Sequence, residues 1–211
     1  MANKEVKEIT KLGDPSKPKG LEGSKMLQRM NESHYEVTGW ALSHWSINGE
    51  DNILDIGCGG GMTLFRMAKE IDNGHLTGLD YSKVSVEEST KLNEGNIKNG
   101  KMNIIEGNVE SLPFNDNSFD KIITVESFYF WPNHVENLKE VHRVLNNDGT
   151  FMLVADIYNK EGLSQEILDN IKLFKLFNPT KEEFFELFQN AGFKDVKIYT
   201  TDTWITVLGS K

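Results

Sequence analysis

The stretch that most narrows the fold of this chain runs from Asn52 to Gly61, a short apolar run that carries one acid and breaks into glycines. Ile53, Leu54 and Ile56 read as a buried strand of a parallel sheet, because such strands are apolar on both faces and look continuous rather than alternating. The glycines that follow permit backbone angles closed to other residues, and without a Cβ they let a ligand lie against the main chain. From Met62 to Ile71 the spacing predicts a helix, with Leu64, Met67, Ala68 and Ile71 on one face. A strand, a glycine turn and a helix in that order hold nucleotide-type ligands at the carboxyl edge of an open sheet.

The spacing narrows the ligand. Asp55, Gly57, Gly59 and Gly61 give D-x-G-x-G-x-G. The dinucleotide fingerprint started at Gly57 needs Gly or Ala where Met62 stands, and no Gly-Lys-Ser/Thr follows to make a P-loop. Here the chain resembles the class I S-adenosylmethionine-dependent methyltransferases, of the small-molecule, methyltransferase domain 11-like type. The resemblance implies S-adenosyl-L-methionine as cofactor, with Asp55 and the turn of Gly57, Cys58, Gly59 and Gly61 holding its methionine moiety and ribose. The bare alternative is a tight turn and nothing more.

A net charge of −9, from 23 basic and 32 acidic residues without a basic cluster, argues against DNA, structured RNA and anionic membranes as partners. A small-molecule acceptor fits better, handled by a monomer or homodimer. The single cysteine, Cys58, excludes an intrachain disulfide. Its thiol adjoins no basic residue in sequence that would activate it. Residues 1–20 lack the apolar segment of a signal peptide, and no run approaches the roughly 18 apolar residues of a membrane span. The expected setting is cytoplasmic.

Residues 1–23 mix charges with Gly13, Pro15, Pro18, Gly20 and Gly23, and read as a flexible N-terminal arm. Residues 24–211 read as a single methyltransferase domain. Within it, residues 24–48 supply N-terminal lid helices, one from Ser24 to Met30 and one from about Ser33 to Trp45. His34 and His44 lie there and are candidate proton acceptors. His75 to Leu79 is the second strand, ending at Asp80, whose two carboxylate oxygens can accept from both ribose hydroxyls. Ser82 is free to cap the helix from Val84 to Leu92. Tyr81 is expected near the adenosine.

Lys101 to Glu106 reads as the third strand. By the resemblance, the pair after it, Asn108 and Val109, meets the adenine ring. The L-P-F…S-F-D stretch from Leu112 to Asp120 looks like the same family's approach to its fourth strand, Lys121 to Glu126. Glu126 joins the cofactor-binding set. Tyr129, Trp131 and His134 follow at the sheet edge where an acceptor should bind, while Phe128 and Phe130 read as core. Val135 to Leu145 is a helix, Asn147-Asp148-Gly149 a turn, and Thr150 to Ala155 the fifth strand.

Residues 156–179 read as an insertion whose helix, Ser164 to Phe177, lies over the active site. Thr180-Lys181-Glu182-Glu183 is a capping box opening a helix that Gly192 ends. Val196 to Tyr199 and Trp204 to Leu208 form a hairpin. The fold class is therefore α/β: a Rossmann-like three-layer αβα sandwich. Its sheet is seven-stranded and mostly parallel, in the order 3-2-1-4-5-7-6 with the last strand antiparallel.

Methyl transfer needs the acceptor in line with the S–CH3 bond in a dry site. If the acceptor is a hydroxyl or an enolisable carbon, a base must take its proton. Tyr129, His34, His44 and His134 are the candidates, and the sequence does not choose among them. A non-catalytic S-adenosylmethionine-binding protein, a sensor or regulatory subunit, would carry the same motifs. Arsenic methylation would need several thiolates, which one cysteine does not supply. No metal site is expected.

Overall fold

In the computed structural model, which describes residues 10–211, the apolar runs pair into a seven-stranded sheet of order 3-2-1-4-5-7-6, the strands counted along the chain. This is the expected order. The chain divides into two compact units, one ending at Asn108 and one beginning at Val109.

The first unit carries β1 (Asn52–Ile56), β2 (His75–Asp80) and β3 (Met102–Glu106), all parallel. Ile53, Leu54 and Ile56 are buried, as their unbroken apolar run requires. Helices α1 (Gly20–Ser33) and α2 (Tyr35–Leu42) precede the sheet. Helix α3 (Met62–Met67) follows the glycine turn, and α4 (Lys83–Leu92) and α5 (Glu94–Lys98) lie between β2 and β3. Ser82 caps α4, its hydroxyl accepting from the Ser85 N–H at 3.3 Å.

Helix α1 corrects the reading of residues 1–23 as a loose arm, since it begins four residues before Ser24. Of that arm, residues 1–9 lie outside the described residues. The part between Gly13 and Gly20 is a closed turn. The Asp14 carboxylate accepts from Ser16 Oγ at 2.6 Å and Lys19 Nζ at 3.2 Å. Ser82 Oγ donates to the Pro18 carbonyl at 2.5 Å, and the Tyr81 hydroxyl donates to the Ser16 carbonyl. Glycine, proline and charge look unstructured in sequence, but here partners distant in sequence satisfy the backbone. Helix α3 also stops short of Ile71, and α5 was not anticipated because its five residues bury nothing.

The second unit carries β4 (Phe119–Val125) and β5 (Leu145–Ala155), which are parallel to each other. An antiparallel ladder of β7 (Ile205–Ser210) with β5 and with β6 (Lys194–Thr200) completes it. Helix α6 (His134–Val144) buries Leu138, Val141 and Val144. Asn147-Asp148-Gly149 is not a separate turn, because β5 starts at Leu145, which pairs with Phe119 ahead of a bulge. Phe151, Phe188 and Phe193 form the aromatic centre of this unit, with ring centroids 5.1–5.6 Å apart.

Helix α7 (Gln165–Phe174) buries no residue, and α8 (Lys181–Asn190) opens with the expected capping box. There Thr180 Oγ1 accepts from the Glu183 N–H, and the Glu183 carboxylate accepts from the Thr180 N–H at 2.7 Å. Thr180→Ala should lower stability by about 0.5–2 kcal/mol, with Tm falling roughly 2–4 °C per kcal/mol in calorimetry. An unchanged Tm would mean the box is idle. Among the described residues, no helix is long and apolar enough to cross a membrane.

Candidate functional site

In the first unit the acid of β1 and the acid of β2 bracket the glycine turn. Asp55 is buried, and neither carboxylate oxygen has a hydrogen-bond partner among the described residues. Burial, then the negative charge of Asp80, pushes its pKa up to about 8. A buried acid without a partner is costly, and a cation or a hydrogen-bond donor from a ligand would relieve it.

The turn is shaped by backbone bonds. The Gly57 and Cys58 N–H groups donate to the Leu79 carbonyl at 2.7 and 3.1 Å, and the Gly61 N–H donates to the Cys58 carbonyl at 2.9 Å. Gly57, Gly59 and Gly61 all have positive φ, at 73°, 52° and 79°. Asp80 is buried, and accepts from the Gly59 N–H at 3.0 Å and the Ser82 N–H at 2.9 Å. Burial raises its pKa, and these two N–H groups oppose the rise.

A Cβ on Gly60 would come within 2.6 Å of the Asn31 side chain, whose Nδ2 donates to the Gly60 carbonyl at 3.2 Å. Helix α1 thus lies directly on the turn. Cys58 is buried, and burial together with Asp80 and Asp55 pushes its thiol well up, so it is not a nucleophile. Tyr81 is over a third exposed, with Lys17 Nζ 4.9 Å from its ring centroid. Asn108 is exposed at the end of this unit. His34 is partly buried, and burial and Arg29 pull it down to about 4, leaving a neutral imidazole. His44 is exposed, edge-on to Trp40 at 5.2 Å.

In the second unit Val109 is buried. Glu126 follows β4 with φ 56°, a left-handed backbone that non-glycine residues seldom adopt. Its carboxyl accepts from the Tyr129 hydroxyl and the Asp156 N–H, while Oε1 is buried without a hydrogen-bond partner. Burial, and then the charge of Asp156, raises its pKa well above the usual carboxylate range. Tyr129 and Trp131 are buried like Phe128, whereas Phe130 is only partly buried and so is less of a core residue than expected. Trp131 Nε1 donates to Ser127 Oγ at 3.2 Å. The His134 ring stacks on Phe177 at 3.7 Å, and burial lowers its pKa.

The structure therefore gathers Asp55, Gly57, Cys58, Gly59, Gly61, Asp80 and Tyr81 in one unit. It gathers Glu126, Tyr129 and His134 around the Phe128–Phe130 turn in the other. Asp156, which the sequence marks only as the first residue of an insertion, also belongs to this second group. The signal was present: it is an acid just past a strand's carboxyl end, as Asp80 ends β2. The sequence does not mark Asn93, whose Nδ2 donates to the Gly61 carbonyl at 3.0 Å.

Comparison with known proteins adds to this geometry. Residues 54–153 match a family model described as a methyltransferase domain. The chain is 36% identical over 146 residues to 2-methyl-6-phytyl-1,4-hydroquinone methyltransferase 1, chloroplastic, of Oryza sativa subsp. japonica, covering 69% of this chain and 42% of that protein. It is 31% identical over 157 residues to O-methyltransferase rstn1 of Aspergillus nomiae, covering 72% of this chain and 68% of the relative. The chain spans only about two fifths of the length of the hydroquinone methyltransferases it matches. A solved S-adenosylmethionine-dependent methyltransferase from Aquifex aeolicus shares the fold, with TM-score 0.70, 16% identity and 97% of each chain covered.

Proposed function

Since the chain belongs to the class I S-adenosylmethionine-dependent methyltransferases, we propose that it moves a methyl group from S-adenosylmethionine to a hydroxyl-bearing small molecule. The observation that carries the cofactor reading is the Asp55 carboxyl, buried and unpartnered beside a glycine turn. Asp55 would take the cofactor's ammonium, the Gly57–Gly61 backbone its methionine chain, and Asp80 its ribose. By the resemblance, Tyr81 and Asn108 flank the adenosine, with Val109 beside Asn108. When bound, the cofactor supplies an activated methyl on a sulfonium. Around that methyl the chain must bind and orient the acceptor and exclude water.

Two relatives support the acceptor class, one named for a hydroquinone and one for O-methylation, so each name implies an oxygen on the acceptor. The two units are read as one methyltransferase domain over residues 24–211 because the family match crosses from the first into the second. The acidic net charge supports a partner that is neither nucleic acid nor an anionic membrane. A cytoplasmic setting belongs to the same proposal.

Calorimetric titration with S-adenosylhomocysteine tests the cofactor site. Asp80→Ala should weaken binding by roughly 1–3 kcal/mol, the cost of hydrogen bonds to a charged group. Unchanged affinity would remove the ribose assignment. A protein that bound the cofactor but released no S-adenosylhomocysteine with any hydroxylated probe would be a binding module instead.

A further inference from the structure

The carboxyl end of β4 carries an acid, Glu126, for which no cation acts on the carboxyl among the described residues. Glu126 takes a left-handed backbone while its N–H donates to the Val154 carbonyl at 3.0 Å. Hydrogen bonding from the Tyr129 hydroxyl and the Asp156 N–H opposes the rise in its pKa. Tyr129 is itself held, its hydroxyl accepting from the Ile157 N–H at 3.3 Å. Ser127, between them in sequence, is tied to Thr124 Oγ1 at 2.5 Å and to the Trp131 indole. The one other acid facing Glu126, Asp156, accepts from the Trp204 side chain, which carries no charge. Among the described residues this leaves Glu126 Oε1, buried and without a hydrogen-bond partner, as the open acceptor of an otherwise satisfied network.

We propose that the Glu126 carboxylate is the general base for the acceptor, its Oε1 receiving the proton of the acceptor's hydroxyl, and that its side chain does not serve the cofactor. The inference rests on the methyltransferase reading above. As the acceptor O–H bond breaks, its proton passes to Oε1. The electron pair left on oxygen, shared with an aromatic ring where there is one, forms the new bond to the methyl carbon. The S–CH3 pair returns to sulfur and leaves a neutral thioether. A carboxylate of ordinary basicity matches a phenol poorly, and burial with the Asp156 charge raises its proton affinity towards the useful range. Tyr129 is the poorer base, because its phenol is pushed well above its usual value and its oxygen already accepts from Ile157. It is a positioning residue.

The test uses the full chain, labelled S-adenosylmethionine, and methylhydroquinone and catechol as acceptors. Glu126→Gln should bind S-adenosylhomocysteine within about twofold of wild type. Its transfer rate should fall roughly 100- to 10,000-fold. Wild-type kcat/KM should rise with pH along an acid limb that Glu126→Gln lacks, and Glu126→Asp should restore part of the rate. The protonated-carboxyl intensity in the infrared spectrum should fall by the Glu126 share in the Gln variant, leaving that of Asp55, whatever the acceptor. Loss of cofactor affinity in parallel with activity overturns the inference, as does full activity in Glu126→Gln, or the same loss from His134→Gln alone. If the wild type methylates neither probe, the acceptor reading itself falls, an outcome distinct from the others.

Discussion

Replacing Gly61 with alanine is expected to cost the fold about 2–5 kcal/mol and to abolish measurable cofactor binding. Two penalties combine. Gly61 sits at φ 79° as the residue before α3, and an L side chain in that region costs about 1–2 kcal/mol. An added Cβ would also lie 2.3 Å from Ser89 Oγ, 2.7 Å from Asn93 Nδ2 and 2.9 Å from Ser89 Cα. The last contact is backbone and cannot swing away, so overpacking adds about 1–3 kcal/mol. Asn93 would lose its bond to the Gly61 carbonyl as it retreated. Gly59 is the internal control. It too has positive φ, but a Cβ there meets nothing nearer than Leu27 at 3.6 Å, so Gly59→Ala should cost only about 1–2 kcal/mol in the fold. Urea denaturation of both variants decides the matter. If they are equally stable, the crowding around Gly61 has been misjudged.

That contrast shows what the sequence could and could not say. The D-x-G-x-G-x-G spacing was legible, since three glycines around a strand end have a backbone reason to be there. The two roles of Gly59 and Gly61 were not, because the difference lies in Ser89 and Asn93, about thirty residues away in the chain. The strands were legible for the same reason as the turn, since an apolar run such as Ile122-Ile123 needs two covered faces. Element ends were less so: β5 reaches back to Leu145 through Asn147-Asp148-Gly149, which local turn chemistry reads as a break. Asp55 and Asp80, the acids proposed to hold the cofactor, stand at or next to the carboxyl ends of their strands, where topology alone draws attention to them. Glu126, Tyr129 and Asp156 meet only because β4 and β5 run side by side and their ends fold towards one another.

The second large effect is a pH dependence that Asp55 should impose on both stability and cofactor affinity. Its folded pKa of about 8 lies above the ordinary 3.8, because burial and then Asp80 disfavour the charged form. For an acid raised on folding, the folded state keeps a proton that the unfolded chain has released. Stability from this group is therefore complete below about pH 4 and is lost as pH rises through about 8. The slope within that window is up to about 1.4 kcal/mol per pH unit. Asp80 is raised by burial too and titrates in concert with it, so the Asp55 part is read as the difference from Asp55→Asn, which keeps the volume and removes the charge. Denaturation at pH 5, 6 and 7 should show the wild type losing stability faster than the variant.

Cofactor binding should run the other way. A ligand ammonium beside Asp55 favours the carboxylate, so the site must expel a proton to bind. Wild-type affinity should therefore climb by as much as tenfold per unit between about pH 5 and 7. Calorimetry in two buffers of different ionisation enthalpy counts the protons released, and close to one is expected. In Asp55→Asn both the climb and the released proton should be gone, and affinity should be weaker at pH 7. Equal proton release from wild type and variant would move the ammonium contact to another group. The two slopes have opposite sign because one carboxyl is costly to ionise in the empty fold and useful once a cation lies against it.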